Sequence, residues 1–168
     1  MASKKATDEF EDAITSIALE KDDRFNKVKY LHDINEQDCC GVSLLWEAVL
    51  KNDLCLVKQL LSMGANPNIT TNDGWTPLHL CAQNYYVECA KILISNHADV
   101  NHKDKWGKNV ISVAAYWSEN RGEMINLLLS HGANPHDKNY FGISAIDIAL
   151  TIANYDVKQF FKDYLPID

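Results

Sequence analysis

Glycine recurs at Gly41, Gly74 and Gly107, every 33 residues, and again at Gly142 after 35. A second motif follows each of the first three: Gly64-Ala65-Asn66-Pro67-Asn68, His97-Ala98-Asp99-Val100-Asn101 and Gly132-Ala133-Asn134-Pro135-His136. A fixed period of this length constrains the fold more than any other feature. Each unit is one supersecondary element that cannot bury its own apolar face, so the units must stack.

Two residues after each glycine stands Ser43, Thr76, Asn109 or Ser144, side chains that accept hydrogen bonds from the first backbone N–H groups of a helix. Pro77 follows Thr76 at the first helical position, where its missing N–H costs nothing. First helices are therefore predicted through Leu44 to Val49, Leu78 to Ala82, Ile111 to Ala115 and Ile146 to Leu150. Small residues at Ala48, Cys81, Ala114 and Ala149 let these helices approach closely. Second helices follow, their apolar positions three and four apart on one face: Val57, Leu60, Leu61; Ala90, Leu93, Ile94; Ile125, Leu128, Leu129; Val157, Phe160, Phe161. Gly64 and Gly132 are placed to end helices in a left-handed residue, and His97 replaces glycine in the middle unit at some strain.

The run Asp73-Gly74-Trp75-Thr76-Pro77-Leu78-His79-Leu80-Cys81-Ala82 resembles the ankyrin signature. The resemblance is specific over Asp38 to Asn101, looser over Asp104 to His136 and weaker over Asn139 to Tyr164. It implies an all-α solenoid of stacked helix-turn-helix units. The units would be repeats at 38–70, 71–103 and 104–138, a C-terminal capping repeat at 139–168, and degenerate N-terminal capping helices within 1–37. About ten helices are expected. The third unit carries two extra residues within Tyr116-Trp117-Ser118-Glu119-Asn120-Arg121-Gly122, so its inter-helix turn should be enlarged. By the same resemblance, His79 bridges neighbouring loops through its imidazole.

Composition narrows the partner. The chain has 168 residues, 46% of them hydrophobic, enough for one continuous core. A net charge of −7 argues against nucleic acid, whose binding depends on cations that displace counterions, and suits a basic protein partner or simple solubility. No uncharged run reaches the roughly 18 residues of a membrane span, and Asp8, Glu9, Glu11 and Asp12 interrupt any signal-peptide core. Five cysteines without framework spacing are expected to stay reduced, which implies a cytoplasmic location.

Catalytic and metal chemistry lack a constellation. No histidine pair has the i, i+4 spacing of a helical zinc site, and no nucleophile elbow, P-loop or dinucleotide fingerprint is present. No cofactor or metal is expected. Adjacent Cys39 and Cys40 are the one conceivable reactive feature, and an enzyme built on them is the least favoured reading.

The informative pattern is aromatic. In ankyrin proteins the residues flanking the loop glycine, and those after the small pair of the first helix, face the concave groove. The resemblance therefore places Trp75, Trp106, Tyr140, Phe141, Tyr116 and Trp117 there. One such ring is accounted for by packing on its neighbour loop; six at matching positions favour a binding stripe, since aromatics dominate interface hot spots. The implied function is binding, and inhibition, of another protein by a chain that is monomeric when free. The partner would be a toxin domain, as for the small free-standing acidic ankyrin proteins that act in bacterial immunity, with a transcription factor or host target as the alternative.

Overall fold

The computed structural model describes residues 33–151 and 156–165, together with Asp12, Ala13 and Thr15. The expected capping helices within 1–37 lie mostly outside the described residues, although Ala13 is helical and fully buried in the core.

Seven α-helices and one 3₁₀ helix are described: α1 Leu44–Leu50, α2 Leu54–Ser62, α3 Pro77–Asn84, α4 Val87–Ser95, α5 Val110–Tyr116, α6 Glu123–Ser130, α7 Ala145–Thr151, then 3₁₀ helix Val157–Tyr164. No strand is present among the described residues, so the chain is all-α. Helices α1, α3, α5 and α7 start at the residues the sequence nominated. The side chains of Ser43, Thr76 and Asn109 accept the N–H groups of Trp46, His79 and Ser112, and Ser144 Oγ accepts that of Asp147. Each such cap stabilises by about 1 kcal/mol.

Helices α1, α3, α5 and α7 pack side by side as an inner row, and α2, α4 and α6 pack behind them as an outer row. Ala48, Cys81, Ala114 and Ala149 are buried where the inner helices meet. Leu44, Leu56, Leu60, Leu78, Leu93, Ile111, Ile125 and Leu128 fill the space between the rows and are fully buried. Each contributes about 2 kcal/mol of apolar burial. The outer helices end alike: Ala65, Ala98 and Ala133 donate back to the carbonyls of Leu60, Leu93 and Leu128. His97 takes the left-handed conformation (φ 68°) that Gly64 and Gly132 take elsewhere, at about 1 kcal/mol.

Two hydrogen-bond ladders lock one unit to the next. In the loops, the N–H groups of Asn72, Lys105 and Tyr140 donate to the carbonyls of Cys40, Asp73 and Trp106. At the ends of the outer helices, Asn35, Asn68 and Asn101 each donate from Nδ2 to the carbonyl of Gly64, His97 or Gly132. Their Oδ1 atoms accept the N–H groups of Asn66, Asp99 and Asn134. His136 replaces the asparagine in the third unit and lies instead beside the Tyr164 ring. Close approach of the loops requires glycine: a Cβ on Gly107 (φ 77°) would lie 2.9 Å from Tyr140 Cδ1.

One expectation is corrected. The second segment of the fourth unit is a 3₁₀ helix, broken at Phe161 (φ −112°), where an α-helix was expected. Val157 and Phe161 are fully buried, whereas the half-buried Phe160 ring lies against Gly122 of the enlarged third-unit turn.

Candidate functional site: an aromatic groove beside the third unit

Inner helix α5 ends at Tyr116, and the turn to α6 runs through residues 117–122, against Tyr85 and Tyr86 alone between α3 and α4. Tyr116 at the end of α5 and Trp117 at the start of the turn are 62% and 42% exposed, with their rings edge to face at 5.3 Å. The turn is nonetheless pinned. Ser118 is buried and its hydroxyl donates to the Ala115 carbonyl. Arg121 donates from Nε to the Ser118 carbonyl, pairs with Glu119 at 3.1 Å, and lies 4.1 Å above the Tyr85 ring.

Tyr85 completes the brace from the preceding unit. Its hydroxyl donates to Glu123 and accepts the Met124 N–H, both at 3.3 Å, and burial pushes its pKa up to about 12. The sequence reading passed over Tyr85 and Arg121. Tyr85 adopts the left-handed conformation (φ 60°) without being glycine, and its contacts span 36 to 39 residues, which no local pattern reports.

The loops build the other wall. Asp104, 3% exposed, accepts the N–H groups of Trp106 and Lys108 on Oδ1 and the Trp75 indole N–H on Oδ2 at 3.2 Å. Trp75 is thus half-buried and partly structural, its ring 5.6 Å from that of His79. His79 is fully buried. The Thr76 N–H donates to its Nδ1, so the ring proton sits on Nε2 and donates to the Lys108 carbonyl at 3.3 Å. Burial pushes the imidazole down to about 4, against the smaller upward pull of the Lys108 carbonyl, so it is neutral at pH 7.

Between the walls lies a cavity of about 330 Å³ formed by residues including Trp75, Lys108, Tyr116, Trp117 and Ile148. The six aromatics do not all line this cavity. Trp75, Tyr116 and Trp117 line the cavity; Trp106 is half-buried under the ammonium groups of Lys105 (4.5 Å) and Lys108 (5.6 Å). Tyr140 and Phe141, 77% and 70% exposed, project from the fourth loop outside the cavity lining. A wider, shallower depression of about 680 Å³ between α4 and α6 holds Glu88, Lys91, Arg121 and Glu123; Lys91 pairs with Glu88 there. Its mixed charges give it no single sign.

Among the described residues no three His, Cys, Asp or Glu side chains gather as a metal site. Cys39 and Cys40 are exposed with their sulfurs 3.9 Å apart. Cys39, through its hydrogen bond and charge, pushes the Cys40 thiol up, the opposite of what a nucleophile needs. No helix among the described residues is long and apolar enough to cross a membrane.

Stacked helix pairs, loop and asparagine ladders, and an aromatic-lined cavity define a repeat solenoid of the protein-interaction class. The chain belongs to the ankyrin-repeat family: a family model described as ankyrin repeats (3 copies) matches residues 15–104 and 45–139. The chain is 35% identical over 125 residues to human transient receptor potential cation channel subfamily A member 1, covering 74% of this chain and 11% of that protein. It is 40% identical over 95 residues to a putative ankyrin repeat protein of fowlpox virus, covering 55% and 28%. It is likewise 40% identical over 68 residues to Drosophila melanogaster ankyrin repeat domain-containing protein 49, covering 40% and 31%. The chain thus spans less than a third of the length of each of these relatives.

Proposed function

We propose that the chain binds one protein partner through the groove beside its third unit and blocks a working surface of that partner, without catalysis of its own. The observation that carries this reading is the Tyr116–Trp117 pair. Two large rings are held exposed at the wall of a cavity by a turn that Arg121 and Tyr85 brace, and such rigid anchors lose little entropy on binding. Trp75 deepens the site, and Trp106, Tyr140 and Phe141 extend it along the loop tips. The net charge of −7 supports a partner that is basic overall, a toxin domain neutralised in the cytoplasm by a monomeric inhibitor. Likeness to a fowlpox virus ankyrin protein keeps a second target class in view, a host protein or transcription factor.

Affinity capture from the native cell, comparing wild type with Trp117→Ala and Tyr116→Ala, tests the reading. Loss of an anchor costs at least about 2 kcal/mol of binding, near 30-fold in affinity. A captured partner should therefore be lost from both variants while their urea midpoints hold. Full retention of that partner by both variants would refute the groove assignment.

A further inference from the structure

We infer that the groove cavity accepts an acidic segment of the partner: one large apolar side chain enters between Trp75, Tyr116 and Trp117, and a neighbouring carboxylate pairs with Lys108. The inference rests on the groove reading above and adds the chemistry of what enters. In a chain of net charge −7, the described residues that form this cavity include one cation, Lys108, and no carboxylate. A cavity of about 330 Å³ has ample room for one large apolar side chain.

Lys108 is placed, not merely present. Its N–H donates to Asp104 Oδ1, and its carbonyl accepts both the Asp104 N–H and the His79 Nε2–H. The backbone is therefore fixed on both sides, and the ammonium rests 5.6 Å over the Trp106 ring. The carboxylates nearest in the loops are already engaged. Asp104 is buried with both oxygens accepting N–H groups, Asp73 pairs with Lys105, and Asp137 pairs with Lys103 at 3.1 Å. Among the described residues none of these pairs is with Lys108, which leaves its charge for what enters. The overall charge draws a basic partner from a distance, while the cavity selects an acidic contact at one point; long-range steering and local pairing act on different scales.

The probe is a biotinylated positional-scanning decapeptide library offered to the full-length chain, wild type against Lys108→Gln, Lys108→Glu and Trp117→Ala. Wild type should enrich Asp or Glu beside Phe, Trp or Leu by about tenfold over Lys or Arg, and enrichment should fall with added salt. Lys108→Gln should abolish the charge preference, Lys108→Glu should invert it, and Trp117→Ala should abolish binding, all with an unchanged urea midpoint. Enrichment of basic or charge-indifferent peptides that Trp117→Ala still abolishes would overturn the acidic-segment inference and leave the groove reading standing. Peptides that bind Trp117→Ala as well as wild type would overturn both.

Discussion

Lowering the pH through the range between 6.5 and 4 should destabilise the fold, because the unfolded chain takes up a proton on His79 that the buried imidazole refuses. The imidazole is fully buried, with Nδ1 accepting the Thr76 N–H and Nε2 donating to the Lys108 carbonyl. A second proton on Nδ1 would set it against the Thr76 donor inside the core. His102 opposes the charge as well, while Asp104 and Asp99 favour it, and burial outweighs both carboxylates. The folded group titrates at about 4 and the unfolded one near 6.5, so the unfolded chain binds the proton first. Stability is complete above pH 6.5, falls as pH drops toward 4, and below that the full cost is incurred. The gap amounts to about 3 kcal/mol, of which roughly 2.5 is lost by pH 4.5. With a urea m-value of about 1 to 3 kcal/mol/M, the midpoint should fall by roughly 0.8 to 2.5 M. The assay is urea unfolding from pH 7.5 to 4.5 for wild type and His79→Gln, which keeps polar groups at the site but cannot titrate. Other groups, among them Asp147, whose carboxyl is held down by its hydrogen bonds to Ser144, cancel in the difference. The advantage of wild type over His79→Gln at pH 7.5 should shrink or reverse by pH 4.5. Two curves that stay parallel across the range would refute a neutral, buried His79.

Gly122→Ala should destabilise by about 1–3 kcal/mol, because a Cβ there would lie 2.2 Å from the Phe160 ring; additivity with Phe160→Ala in a double-mutant cycle would contradict that contact. Gly107→Ala and Gly142→Ala share the same left-handed strain at φ 77°, but only the first meets a neighbour, Tyr140, at 2.9 Å. The urea midpoint should therefore fall further for Gly107→Ala, and equal losses would mean that the loop ladder is not tightly packed. Alkylation of the native chain followed by intact-mass analysis should modify Cys39, Cys40 and Cys55 quickly, and Cys81 and Cys89 only on unfolding. Fast labelling of all five would show that the helix pair holding the buried thiols opens readily.

Repetition made most of the fold legible in the chain itself. The glycine period, the capping residues Ser43, Thr76, Asn109 and Ser144, and the left-handed helix ends at Gly64, His97 and Gly132 are local features, and a local feature writes its requirement into the residue that meets it. The asparagine ladder is an inter-unit feature not drawn from the sequence, although Asp33-Ile34-Asn35 stands 33 residues before Asn66-Pro67-Asn68. Where the period weakens, at the fourth unit, the spacing of Val157, Phe160 and Phe161 marked an apolar face but reported neither the 3₁₀ winding nor the contact of Phe160 with Gly122 in the unit before. The candidate site divides the same way. Which residues are aromatic was plain, but their sorting into cavity wall, lysine-covered ring and exposed loop tip depends on packing between units 29 to 39 residues apart. Tyr85 and Arg121 brace Trp117, and Asp104 joins Trp75, Trp106 and Lys108 into one wall, only after the stack has formed. Period, caps and helix ends are set by neighbours in the chain; the shape and charge of the groove are set by neighbours in space, and only tertiary packing brings those together.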